Sequence, residues 1–358
     1  MPHINPDFAD EIKKYGADDF NLCFNCGNCT AVCSLSTNDE SFPREMIRYS
    51  TLGLEDEIKS SLKPWLCYYC GECSTDCPRQ ANPGELMMSL RRWLTAQYDW
   101  TGLSGLLYKH IGAYIGGMLV LLAGVIGFTN FSGFDREQVI HYGHLFEMLA
   151  IAGVFAAILL PNIIHMWYLT IVKPKVKPSL KVYAQSTGDL FVHMFTQKRF
   201  LGCEDTRENR TRWILHFILV LSYLSLLFTT VFLNWFSTTS KFVIWLGYFE
   251  SAAIFIITTV FMSMRFRKVD TMHKHSQPSD WFFVIWLFLM GITSFAVRLL
   301  IDLNNLDSQF WMYTLHLTVL AQWALIIVPF GKWTHFLYRS FAMYFQKILE
   351  LNRTVKRP

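Results

Sequence analysis

Charge is what this chain has least of. Only 17% of its 358 residues are charged, against 52% hydrophobic and 16% aromatic, so it is too apolar to be soluble along its whole length. Cysteine is equally confined: of nine, eight fall in two short stretches and Cys203 stands alone. No secretory leader is expected, so a disulfide-stapled secreted domain is excluded and the cysteines point to metal in a reducing compartment. No Gly-x-x-x-x-Gly-Lys loop, Gly-x-Gly-x-x-Gly fingerprint or Gly-x-Ser-x-Gly elbow occurs, which leaves nucleotide binding and hydrolase chemistry without a basis. Through residue 111 there are 15 Asp and Glu against 10 Lys and Arg, a balance that disfavours nucleic acid as a partner.

What is there begins with the cysteines. Cys67, Cys70, Cys73 and Cys77, the last followed by Pro78, repeat the intervals of Cys23, Cys26, Cys29 and Cys33. Such a run holds one iron-sulfur cube and lends its fourth sulfur to a second. By that rule Cys23, Cys26 and Cys29 share a [4Fe-4S] cluster with Cys77, while Cys67, Cys70 and Cys73 share the other with Cys33. Structural zinc needs one closed tetrahedron and has no use for this doubled spacing. One departure is Ser34, where proline would follow Cys33.

The segments around Phe42–Tyr49 and Leu54–Lys59 carry apolar residues at helical spacing, broken by Gly53 and closed by Pro64. Another helix is expected from Glu85 to Ala96. From Gly112 onward six apolar runs are long enough to cross a bilayer: 112–131, 143–168, 213–236, 242–264, 281–303 and 310–331. Lys and Arg number nine in 172–212, four in 265–280 and six from 332 onward, while the alternate loops carry almost none. Basic residues stay on the cytoplasmic side, so both termini and the cysteine head are expected there, in the inner membrane. The expected layout is a head at 1–105, a six-helix membrane domain at 106–340 and a basic cytoplasmic tail at 341–358.

Histidine at membrane depth is costly and marks function. Paired imidazoles from facing helices clamp a haem. His316 and His335 are 19 residues apart, about 28 Å along a helix, and must serve different haems. By depth the outer group is His144 and His316, with His141 as substitute; the inner group is His216, His335 and His165. His165 also reads as a quinone-site or membrane-edge side chain. Glu147, one turn from His144, is a candidate proton relay for quinone chemistry, and Arg298 could pair with a propionate of the outer haem. Salt bridges between helices are the plainer reading of Glu147, Glu250 and Arg298.

The segments Trp311–His316 and Val328–His335 resemble the last helix of the gamma subunit of respiratory nitrate reductase, a dihaem cytochrome b in which both histidines are haem ligands. Trp213–Phe217 is similar to the helix that supplies the inner partner, but Leu226 stands where that family places a second histidine ten residues on. The resemblance implies His216 with His335 at the inner haem, and His144 is the replacement partner for His316 at the outer one. Cysteine head and cytochrome body together resemble the membrane subunit of quinone-interacting membrane-bound oxidoreductase and fused C and E subunits of heterodisulfide reductase.

The fold class expected is all-α: a helical two-cluster ferredoxin-like head on a six-helix transmembrane dihaem cytochrome b bundle. The resemblance implies electron exchange between menaquinone and cytoplasmic flavin-containing partner subunits, linked in sulfur respiration to adenylylsulfate reductase. Two alternatives stay open: the anchor of another respiratory oxidoreductase coupled to a pyridine-nucleotide flavoprotein, and a redox sensor with clusters but no haem.

Overall fold

The computed structural model describes residues 4–37, 40–197, 207–268 and 271–356, so Cys203 lies outside the described residues. Among those described there are helices and no strand, apart from an isolated antiparallel bridge between Thr37 and Glu40. The head is built from seven short helices: α1 (Phe8–Lys13), α2 (Asn28–Val32), α3 (Arg44–Leu52), α4 (Glu55–Ser60), α5 (Lys63–Leu66), α6 (Glu72–Thr75) and the longer α7 (Pro83–Tyr98). Gly53, at φ +68, ends α3 in the left-handed conformation, and an added Cβ there would meet the Asn5 carbonyl oxygen at 1.9 Å.

Six helices are long and apolar enough to cross a membrane: Ile111–Phe131, Arg136–Val172, Arg210–Leu233, Lys241–Phe266, Pro278–Asp302 and Phe310–Arg353. The second and sixth are longer than their apolar runs suggested. Both contain π-turns, at Phe155–Leu159 and Tyr168–Val172 in the second and at Trp323–Ile327 in the sixth. Pro161 and Pro329 explain two of them, because proline has no N–H for the carbonyl four residues back and its ring crowds that carbonyl. The carbonyl so released by Pro161, on Ala157, accepts the indole N–H of Trp100 at 2.9 Å. A helix irregularity thus becomes an anchor for the end of the head.

Within the stretch 341–358, residues 341–356 continue the last helix, Thr334–Lys356. Tyr338, Ala342, Phe345 and Ile348 are buried along one face at spacings of four, three and three. That face belongs to the same core as Phe8, Ile12, Trp65 and Trp93 of the head and Leu159, Ile163 and Met166 of the second span. Trp65, Tyr98 and Tyr338 sit at its centre, with ring centroids 5.4–6.3 Å apart and the Trp65 indole N–H donating to the Tyr98 hydroxyl at 3.2 Å. Burying each such ring is worth roughly 1.5–3 kcal/mol, so no packing boundary separates head from membrane body near residue 105. A second core around Leu219, Trp235, Ile254, Leu287 and Trp323 fills the bundle itself.

Candidate functional site

The two cysteine loops fold alike, residue for residue. Asn25 and Tyr69 hold φ +64 and +60, and Gly27 and Gly71 hold φ +93 and +91 just before α2 and α6. In each loop the amide two residues after the first cysteine donates to its sulfur, Asn25 to Cys23 and Tyr69 to Cys67, both at 3.3 Å. Asparagine tolerates the left-handed region, but a bulky aromatic there is rare and signals a constraint imposed from outside the loop. The constraint on Tyr69 is visible: its hydroxyl donates to Glu85 of α7 at 2.7 Å.

None of the eight cysteines in the loops is disulfide-linked. Cys29 feels the charge of Cys23, Cys26 and Cys77, Cys33 that of Cys67 and Cys70, and Cys73 that of Cys67, Cys70, Cys33 and Cys29. The two loops thus lie against each other, an arrangement compatible with the crossed quartets expected from the spacing. Among the described residues no three His, Cys, Asp or Glu side chains converge on a point suited to one metal ion, as a closed tetrahedron at about 2.3 Å per sulfur requires. Burial pushes the Cys33 thiol up to about 11 and raises Cys29, Cys67 and Cys73 as well; at Cys67 the Arg91 guanidinium opposes that rise. The quartets differ in setting. Cys26 is exposed beside exposed Leu22 and Phe24, whereas Cys67 is buried against α7.

Between head and bundle lies a buried ionic network. Arg92 of α7 reaches Glu85 at 3.1 Å and Asp280, in the first turn of the fifth span, at 3.2 Å. Lys332, in the sixth, reaches the other oxygen of Asp280 at 2.7 Å. Sequence reasoning missed these residues. The available signal was the Arg91–Arg92 pair set in a helix with Leu86, Met87, Leu90, Trp93 and Leu94 around it, since a helix apolar on all sides is buried on all sides.

Below the network, a cavity of about 240 Å³ is lined by both His216 and His335. Its wall is strongly cationic, with Arg91, Arg212, Arg265, Lys332 and Arg339 against Asp280. Nδ1 of His335 is hydrogen-bonded to the carbonyl of Lys332, which fixes the ring and leaves Nε2 for the cavity. Deeper still, a cavity of about 230 Å³ is lined by His316 and Glu147 among mostly apolar neighbours. His316 binds Thr293 Oγ1 through Nδ1 at 2.9 Å. Glu147 is 9% exposed and has no hydrogen-bond or ion-pair partner among the described residues. Tyr223, Trp323 and Trp333 stand between the two histidine sites, with the Trp323 indole N–H on the Tyr223 hydroxyl at 3.0 Å.

The remaining sequence candidates fall elsewhere. His144 is not among the residues lining the deeper cavity, and its Nε2 is buried without a hydrogen-bond partner among the described residues. Leu226 does line that cavity. His165 bonds the Tyr98 carbonyl through Nδ1 at 3.1 Å, at the head's edge and away from the His216–His335 cavity. Arg298 is taken up by Asp302 at 2.7 Å and by the carbonyls of Trp235 and Thr238, so it works as a brace for the loop after the third span. Glu250 accepts from Ser225 and Thr229 and joins the third and fourth spans.

Residues 22–82 match the 4Fe-4S dicluster domain family. The chain is 35% identical over 91 residues to a protein of Archaeoglobus profundus that is like the C subunit of heterodisulfide reductase, covering 25% of this chain and 48% of that one. It is 32% identical over 78 residues to the C subunit of the H(2):CoB-CoM heterodisulfide,ferredoxin reductase of Methanothermobacter thermautotrophicus and to that of Methanothermobacter marburgensis, covering 22% of this chain and 42% of each. The chain thus spans about half the length or less of these curated relatives. No solved structure matches it. An iron-sulfur dicluster domain joined to six membrane-length helices is an electron-transfer module of a membrane protein.

Proposed function

We propose that the chain is the membrane subunit of a quinone-linked oxidoreductase and carries electrons between the quinone pool and cytoplasmic partner subunits. What supports this is adjacency: the cavity of His216 and His335 is also walled by Tyr68 and Tyr69 of the second cysteine loop, and Tyr223, Trp323 and Trp333 lie between it and the cavity of His316. Cys33, Cys67, Cys70 and Cys73 hold the membrane-proximal cluster and Cys23, Cys26, Cys29 and Cys77 the solvent-facing one. His216 and His335 hold the inner haem b, whose carboxylates suit the cationic wall. His316 would hold the outer haem, with His144 of the second span as its partner. Haem and clusters, when bound, supply one-electron exchange.

The chain's own residues do the rest. His335 is held in one tautomer by the Lys332 carbonyl, and His316 is oriented by Thr293. Glu147 is placed to accept a proton from a quinol beside His316. The basic loops support a head on the cytoplasmic side of the inner membrane. The relatives' names, all of heterodisulfide reductase type, support partner subunits in a larger complex. The resemblance to quinone-interacting membrane-bound oxidoreductase makes these flavin-containing, the quinone menaquinone and the route sulfur-linked, through adenylylsulfate reductase.

A second reading has one haem, and a specific observation favours it. Leu226 lines the deeper cavity and His144 does not, so that space presents a single imidazole opposite a carboxylate, the pair a quinol head group needs. Haem per chain by pyridine haemochromogen, with reduction of the purified protein by a menaquinol analogue, decides: two haems reduced by quinol support the dihaem reading, one supports the second. No haem, or haem that quinol leaves oxidised, removes both.

A further inference from the structure

We propose that Arg91 is the counter-ion of the membrane-proximal cluster and sets its reduction potential above that of the solvent-facing one. This rests on the ligand assignment of the cysteines to two clusters. Arg91 is 6% exposed, and its guanidinium is spent on backbone: Nε donates to the Pro64 carbonyl at 2.7 Å and Nη2 to the carbonyl of Cys67, itself a cluster cysteine. Nη1 lies 3.4 Å from the Met88 sulfur, and the group sits 6.0 Å from the centre of the Trp65 ring.

Among the described residues no carboxylate pairs with it. The titratable and charged groups that face it are Cys67, Tyr69, its neighbour Arg92 and, across the cavity, His335. Arg92 and Lys332 have Glu85 and Asp280 as ion-pair partners, whereas Arg91 has no carboxylate partner among the described residues; Arg339 is the second cation that acts on Cys67. A buried charge survives only when something of opposite sign is close. The thiolate set of Cys33, Cys67, Cys70 and Cys73 is that partner.

A cube held by four thiolates is anionic and becomes more so when it takes an electron, so a fixed cation beside it favours the reduced form. Arg91 also lines the cavity shared by His216 and His335. Its charge therefore draws electrons from that cavity to the nearer cluster. The solvent-facing quartet is served differently: its exposed cation, Arg79, reaches only the Leu22 carbonyl at 3.5 Å, and Arg44, half-buried with its guanidinium against Gly27, makes no hydrogen bond to a cysteine among the described residues.

The test is an EPR-monitored redox titration of the purified full-length protein, with the two signals assigned through Cys70→Ser and Cys26→Ser. Fewer than two cluster signals in the parent protein means that the ligand assignment has failed, independently of Arg91. Given two, Arg91→Gln should lower the reduced-to-oxidised ratio of the Cys70 cluster about tenfold at fixed potential, or 59 mV for a one-electron couple. The Cys26 cluster should move less than about twofold, and Arg91→Lys should restore most of the difference. Met88→Glu, which brings a carboxylate to Arg91 while leaving its backbone bonds in place, should reproduce the downward shift and serves where Arg91→Gln fails to assemble. Equal movement of both clusters, or movement of neither, overturns the proposal.

Discussion

Replacing Asp280 by asparagine should loosen the head from the bundle by a calculable amount. The carboxylate binds Arg92 at 3.2 Å and Lys332 at 2.7 Å, with side-chain exposures of 7% at Asp280, 7% at Arg92 and 21% at Lys332. Asp280→Asn would leave two cations facing each other over a neutral amide, with Glu85 answering only Arg92. Removing one partner of a buried ionic group costs about 3–5 kcal/mol. At about 1.36 kcal/mol per factor of ten, local opening at this junction should become more frequent by two to nearly four orders of magnitude. Hydrogen exchange of the α7 amides around Arg92, read by mass spectrometry in detergent or nanodiscs, measures that opening. Asp10→Asn is the control: Asp10 pairs with Lys13 but is 79% exposed, so its loss should leave the same amides unmoved. Protection of α7 in Asp280→Asn within about threefold of the parent would refute the view that this network fastens the head.

Other outcomes follow from the same geometry. His335→Ala should remove one haem by pyridine haemochromogen while both cluster signals persist, because His335 lines the inner cavity and not the outer. Glu147→Gln should slow quinol oxidation by about 10²–10⁴, the usual weight of a general base, with the haem spectrum intact and the pH dependence of the rate flattened. Gly247→Ala should destabilise the bundle by about 1–3 kcal/mol, seen as a lower Tm in detergent, since a Cβ there falls 2.1 Å from the buried Trp235 ring.

The cysteine loops were the most legible part of the chain, because ligand spacing is written directly in sequence and residues 22–82 match a 4Fe-4S dicluster domain. Five of the six spans began within about three residues of where their apolar runs placed them. The second began seven residues earlier, since Glu137 and His141 lie in the first turns of a helix capped by Asp135 and look like loop to any measure of hydropathy. The last helix ran on past residue 331 because its continuation is amphipathic, and polar residues such as Gln346, Lys347, Glu350 and Arg353 mask the buried stripe from Tyr338 to Ile348. Pairings across the bundle were least legible. His216 and His335 line one cavity, but rotation about a helix axis decides whether His144 or Glu147 joins His316 in the other, and sequence distance carries no such angle.

The core shared by Trp65, Tyr98, Leu159 and Tyr338 has a kinetic corollary. A redox head on a hinge can shuttle, trading reach for a diffusive delay at each turnover, but one welded to its membrane half through interlocked rings has no stroke to make. Tunnelling gaps in this protein are then set once, at folding. Internal electron transfer should be indifferent to solvent viscosity, leaving partner arrival and quinol exchange as the steps that glycerol slows.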